Sequence, residues 1–105
     1  MIIRKGIKKD IPQVLDLIKE LAKYENSIEK VSNTVERIEN DGFGETPIFD
    51  LFIAENSKKI IGIAITYYRY STWLGRKLYL EDLIISENYR RKGIGGKLFN
   101  FRHNS

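Results

Sequence analysis

The stretch Tyr89–Lys97, Y-R-R-K-G-I-G-G-K, packs four cations and three glycines into nine residues. Cations attract an anion, and glycines let backbone N–H groups come close to one. Just upstream, Glu81 and Asp82 interrupt the otherwise apolar run Leu78–Ile85. Neighbouring strand residues point to opposite faces, so these two acids cannot share one solvent side. At least one should lie against protein or line a cleft. Burying a carboxylate is costly unless it is paired or used, and perturbed acids cluster at functional sites. The plainer alternatives are a strand end that reaches water, or a salt bridge to a nearby cation.

Three glycine-rich phosphate motifs can be compared with the basic stretch. G-x-x-x-x-G-K-[ST] fails, because counting back from Gly96-Lys97 puts Arg91 at the first glycine and Leu98 follows the lysine. G-x-G-x-x-G from Gly93 fails at Leu98. R-x-x-G-x-G fits, as Arg90, Gly93 and Gly95. It lies between the apolar Leu83-Ile84-Ile85 and Lys97-Leu98-Phe99, at a strand-to-helix turn. Free N–H groups at that helix start can cradle a pyrophosphate, with Arg90, Arg91 and Lys92 adding charge. The bland reading is a basic turn capping an ordinary helix.

The flanking elements follow from periodicity. Residues 2–6 read as a strand. Asp10 is the expected N-cap, with Pro12 in the first turn and Gln13 at the capping-box position. Ile11, Val14, Leu15, Ile18, Leu21 and Ala22 recur at helical spacing, so Ile11–Glu25 is an amphipathic helix. A shorter helix is expected from Asn33 to Asn40, with Asn33 and Glu36 as a capping-box pair and Gly42 as its stop. Phe49–Glu55 and Ile60–Tyr70 read as a hairpin turning at Asn56–Lys59. Arg76–Ser86 is the next strand, and a helix starts near Gly93. The order is β-α-α-β-β-β-α: an α+β domain with a largely antiparallel sheet and helices on both faces.

Composition narrows the class. The chain has 105 residues and a net charge of +4, enough for one domain and compatible with an anionic ligand. There is no cysteine, so disulfides and thiolate chemistry are excluded. No apolar run approaches the length of a membrane span, and Met1–Lys5 leads into no signal-peptide core. These features point to a cytoplasmic protein with no membrane partner and no metal.

Longer blocks then resemble a family. Leu17–Glu25 (L-I-K-E-L-A-K-Y-E), Asp41–Glu45 (D-G-F-G-E), Trp73–Leu83 (W-L-G-R-K-L-Y-L-E-D-L) and Tyr89–Gly95 are similar to the GNAT-type N-acetyltransferases, in the diamine and thialysine acetyltransferase branch. The resemblance implies acetyl-CoA as co-substrate and a primary amine of a polyamine or lysine-like molecule as acceptor. It implies that backbone groups of Leu83, Ile84 and Ile85 bind the pantetheine arm. Arg91, Lys92, Gly93, Ile94, Gly95 and Gly96 would wrap the pyrophosphate, with Arg90 as the motif cation. Glu81 would accept the amine's proton, through water, and would help bind the acceptor with Tyr24 and Glu25. Glu25, Glu81 and Asp82 could form acidic walls for a cation. Without the resemblance, Tyr24 and Glu25 read as the polar end of an amphipathic helix.

Family members run on past residue 105, so the resemblance implies a single domain, 1–105, that is incomplete. It would lack the residue that protonates the departing thiolate, and Phe101–Ser105 looks off-pattern. One edge of Arg76–Ser86 would then be open, and a homodimer or higher oligomer is expected. The alternative function is a non-catalytic CoA-binding or interaction module. A nucleic-acid binder using Arg90, Arg91, Lys92, Lys97 and Arg102 is the weakest reading, because the cations are few and acids precede them. His103 carries no expected role. Tyr67, Tyr68 and Tyr70 are expected to pack rather than to form a stacking platform for bases, and Trp73 to anchor its loop rather than line the acceptor cleft.

Overall fold

The computed structural model describes residues 1–103. The elements run β1 (Ile2–Lys5), α1 (Ile11–Tyr24), α2 (Val35–Phe43), β2 (Asp50–Asn56), β3 (Lys59–Ser71), β4 (Gly75–Ile85) and α3 (Ile94–His103). Short 3₁₀ turns sit at Lys8–Asp10, Ile28–Lys30 and Glu87–Tyr89. The expected order and class are both present. The four strands form one antiparallel sheet in the order β1-β2-β3-β4.

Strand alternation gives the sheet two apolar faces. Ile53, Ile63 and Ile84 lie on one face and pack with Ile11, Val14 and Leu15 of α1 and Ile38 of α2. Phe52, Ala54 and Ala64 lie on the other, against Ile94 and Leu98 of α3. Fully burying an isoleucine or leucine contributes about 1.5–3 kcal/mol relative to exposure, so these two rows fix which face each helix covers. Ser57 and Lys58, both at positive φ, close the β2–β3 hairpin with the twist that suits a two-residue turn.

Several local expectations are corrected. Asp10 stands at the N-cap position of α1 but makes no capping bond there. Its carboxylate accepts instead from the Ile7 N–H at 2.8 Å and from Arg4 Nη1 and Nη2 at 2.8 and 2.9 Å. Arg4 also bonds Glu55 through Nε at 2.8 Å, so one guanidinium ties β1, β2 and the start of α1 together. Gln13 forms no capping box; its Oε1 accepts from the Ile60 N–H at 2.9 Å. The N-cap of α2 is Thr34 rather than Asn33, with Oγ1 accepting from the Arg37 N–H at 3.1 Å. Gly42 does not stop that helix. It is buried within it, where an added Cβ would meet the Phe49 ring. Trp73 is 93% exposed, so its side chain is not a packed anchor for the loop. Tyr67 stacks on Tyr79 at 6.0 Å as a packing residue, but Tyr68 and Tyr70 are exposed. Phe101 packs edge-on against Phe52 at 6.1 Å, so it belongs to the α3 face. Arg102 continues the same helix, its guanidinium 4.6 Å from the centre of the Phe99 ring, while Asn104, Ser105 and the side chain of His103 lie outside the described residues.

Candidate acetyl-CoA and amine site

The site begins where β4 stops pairing. Ile85 pairs with Gly62 and Ile84 with Ile63, and the Ser86 N–H then donates to the Ile61 carbonyl at 2.8 Å. No strand lies beyond β4 among the described residues, so alternate backbone N–H and C=O groups on its outer edge are open. The chain then tightens through the Glu87–Tyr89 turn. Arg90 doubles back, donating from Nε to the Ile85 carbonyl at 3.0 Å. Its guanidinium carbon lies 5.4 Å from the centre of the Tyr24 ring.

Arg91 (φ 64°) and Gly93 (φ 78°) both occupy the left-handed region, which L-residues enter at a cost and glycine enters freely. Ile94 is buried on the α3 side of the sheet and pins the helix start. Arg91, Lys92, Gly93 and Gly96 remain exposed. The space beside Gly93 and Gly96 is open, while a Cβ on Gly95 would touch Leu83 at 3.6 Å. The first amides of α3 have no partner inside the helix, and the helix dipole adds positive potential there. Open glycines, orphan amides and exposed cations form a cradle that fits a pyrophosphate.

α1 closes the other side. Its last turn ends through the Glu25 N–H bond to the Leu21 carbonyl at 3.0 Å, with Asn26 at φ 56° turning the chain away. Tyr24 and Glu25 therefore stand exposed at the helix end. An open depression of about 330 Å³ is lined by Leu21, Tyr24, Glu25, Leu83, Ile84, Ile85 and Arg90. Six of these seven are sequence-derived site residues, and Leu21 is the addition. The Ile85 carbonyl in this set already accepts from Arg90.

Glu81 stands apart from this lining. Thr66 pairs with Leu80 and Ile65 with Asp82, so Glu81 is the extra residue of a β-bulge and is exposed. Strict alternation breaks at that point, which releases the pattern argument that set the two acids on opposite faces. Asp82 is the half-buried acid, on the same face as Ile65 and Ile84. Burial, and then the neighbouring Glu81 charge, push its carboxyl above the ordinary aspartate value. The residue that sequence reasoning missed is Glu20, whose carboxylate accepts from the Ser86 hydroxyl and the Glu87 N–H. Its position four residues before Tyr24 was the available signal.

Two helices on one face of the sheet, one on the other, and a glycine turn left open at the end of the edge strand make an α+β architecture with a candidate anion site. The Acetyltransferase (GNAT) family model matches residues 13–101, and the chain belongs to that family. It is 38% identical over 106 residues to the thialysine N-epsilon-acetyltransferase of Bos taurus, covering 93% of this chain and 62% of that protein. It is also 38% identical over 103 residues to the human spermidine/spermine N(1)-acetyltransferase-like protein 1, covering 91% of this chain and 15% of that one. The chain thus spans about three fifths of the length of the thialysine acetyltransferase it matches. An aminoglycoside acetyltransferase from an uncultured soil metagenomic sample superposes with a TM-score of 0.76 at 22% identity, over 98% of this chain and 67% of that one. An acetyltransferase from Vibrio fischeri gives 0.73 at 20% identity, over 99% and 84%. These two likenesses bear on the fold alone. Among the described residues, no helix is long and apolar enough to cross a membrane.

Proposed function

We propose that this chain carries the cofactor half and part of the acceptor half of an N-acetyltransferase domain that moves an acetyl group from acetyl-CoA to a primary amine of a polyamine or lysine-like molecule. The observation that carries the reading is the single depression shared by the end of α1, the end of β4 and Arg90 of the glycine turn. The names of the relatives support the acceptor class.

Acetyl-CoA brings the activated thioester. The outer edge of β4 at Leu83–Ile85 offers backbone partners to an extended arm. The turn from Arg90 through Arg91, Lys92, Gly93, Ile94, Gly95 and Gly96 offers amides and charge to its pyrophosphate. An alkylamine has a pKa of about 10.4, so the acceptor arrives as a cation and must lose a proton before its nitrogen can attack. Tyr24 and Glu25 hold the acceptor, and Glu81 takes the proton through water. The thiolate leaves and is protonated from solvent or by a residue outside this chain. A small-molecule acceptor, a cytoplasmic setting and assembly into a homo-oligomer complete the proposal.

Calorimetric titration with acetyl-CoA, followed by turnover with spermidine and thialysine, tests it. Saturable binding and acetylated amine are expected. No binding would reject the cofactor site. Binding without turnover on either amine would favour a non-catalytic CoA-binding module.

A further inference from the structure

Glu20 projects from α1 onto the connection between β4 and the glycine turn. One oxygen accepts from the Ser86 hydroxyl at 3.3 Å, the other from the Glu87 N–H at 3.1 Å. Ser86 is buried, and its own N–H is held by β3 at the Ile61 carbonyl. The short turn closes as the Tyr89 and Arg90 N–H groups bond the Ser86 and Glu87 carbonyls at 2.9 and 3.4 Å. Its first amide, Glu87, has no partner inside the turn, and a carboxylate is the strongest cap for such a group. Residues four apart share a helix face. Glu20 and Tyr24 therefore address the same six-residue connection, 85–90: Glu20 through hydrogen bonds, and Tyr24 through Arg90.

That connection leads directly into Arg91 and Gly93, whose positive φ values set the shape of the cradle. Freedom at Glu87 would pass into the cradle, because no other described element separates the two. We infer that Glu20 is a positioning residue for acetyl-CoA. It caps the Glu87 turn and so locks the glycine cradle to the helix that carries Tyr24 and Glu25. Glu20 touches no substrate. Its effect is to preorganise the cradle, which lowers the ordering cost of binding. The inference rests on the acetyl-CoA reading above.

The test uses the full chain as wild type, Glu20→Ala, Glu20→Gln and, as a control, Gln13→Ala. The control removes a different long-range bond, the one that the Ile60 N–H donates to Gln13 Oε1; Gln13 shares a depression with Glu20 and Ser86, but among the described residues it makes no bond to the Glu87 turn. Acetyl-CoA affinity is read by calorimetry, and amide exchange over residues 86–96 by hydrogen–deuterium exchange. Glu20→Ala is expected to weaken binding about tenfold, the scale of one lost charge-assisted hydrogen bond, and to speed exchange across 86–96 while β2 and β3 stay protected. Glu20→Gln should recover most of both effects, since its amide oxygen can accept from Glu87 N–H and its NH₂ can donate to the Ser86 hydroxyl. Gln13→Ala should leave affinity within about twofold of wild type. Unchanged exchange over 86–96 in Glu20→Ala would overturn the inference. So would equal loss of affinity in Glu20→Ala and Gln13→Ala. If wild type itself fails to bind acetyl-CoA, the proposed function falls, and the exchange pattern alone decides whether Glu20 orders the cradle.

Discussion

Glu81 and Asp82 divide two properties that the sequence presented as a pair. Glu81 sits exposed and unpaired at a bulge, a local break in the ladder that re-aims a side chain, while Leu80 and Asp82 beside it still pair with Thr66 and Ile65. Asp82 pairs in register and carries the burial cost. The conflict of two acids in an apolar strand was legible, because alternation forbids it. The bulge that resolves the conflict was not, because it depends on how β3 and β4 align. Glu81→Gln is nearly isosteric and removes the carboxylate's basicity together with its charge. In steady-state assays with spermidine or thialysine it should lower kcat by about 100-fold or more, with acetyl-CoA affinity unchanged. Equal kcat would remove Glu81 from proton transfer. Asp82 behaves differently. Its folded-state pKa is raised, so the folded form favours the protonated acid. Its ionisation therefore subtracts stability as pH rises through the ordinary carboxylate range toward the raised value, and the deficit persists above it. Asp82→Asn should raise Tm by a few degrees at pH 7, and the gain should vanish below the ordinary aspartate pKa. Thermal melts across pH check this; a pH-independent gain would point to packing instead.

At the scale of elements, the sequence was most informative where one period dominates. The stripe from Ile11 to Ala22 specified α1, and the apolar runs specified β2, β3 and β4 to within a residue or two. Capping was less legible, because Asp10, Gln13 and Asn33 each have side chains with several partners in reach. Arg4 draws Asp10 away from the helix amides, and the hairpin edge at Ile60 captures Gln13. Burial alone would push the Asp10 carboxyl up, but hydrogen bonds from Arg4 and Ile7 outweigh it and hold it below the usual aspartate value. This contribution is present above the ordinary carboxylate range and is lost as pH falls through the lowered pKa. Arg4→Ala should cost about 2–3 kcal/mol by urea denaturation at pH 7, below the fully buried range because the guanidinium is partly exposed. The penalty should shrink in acid, as Asp10 protonates. The glycine cradle was legible as chemistry, and the backbone shows why it needs glycine. Gly93→Ala forces an L-residue to φ 78° where no neighbour blocks the new methyl. It should cost about 1–2 kcal/mol of stability and loosen acetyl-CoA binding, read by the same denaturation and titration.

At the scale of the whole molecule, β4 is the feature left to account for. In the 105-residue chain nothing among the described residues pairs with its outer edge, and Leu78, Tyr79, Leu80 and Leu83 are all more than a third exposed. Native proteins usually blunt such an edge with a short strand, a proline or inward charge. β4 is eleven residues long, with no proline. Its charges are segregated instead, with Arg76 and Lys77 near its start and Glu81 and Asp82 just past its middle. An antiparallel pairing of two copies about a two-fold axis at Tyr79 would set Leu78 opposite the partner's Leu80 and Lys77 opposite the partner's Glu81. Opposed apolar and opposite-charge pairs each add about 0.2–1 kcal/mol to a ladder. The charge pattern is thus self-complementary, as an isologous contact requires. Light scattering on the chain at rising concentration should show a mass moving from monomer toward dimer. Leu78→Lys puts a cation where the partner offers only leucine and should shift that midpoint to higher concentration, with the melting temperature of the monomer little changed because the site is exposed. The same edge carries the backbone groups proposed for acetyl-CoA at Leu83–Ile85. Ligand and self-association then compete wherever the paired register reaches that far, so excess acetyl-CoA should drive the dimer apart. A dimer indifferent to acetyl-CoA would mean that the two uses occupy different lengths of the strand.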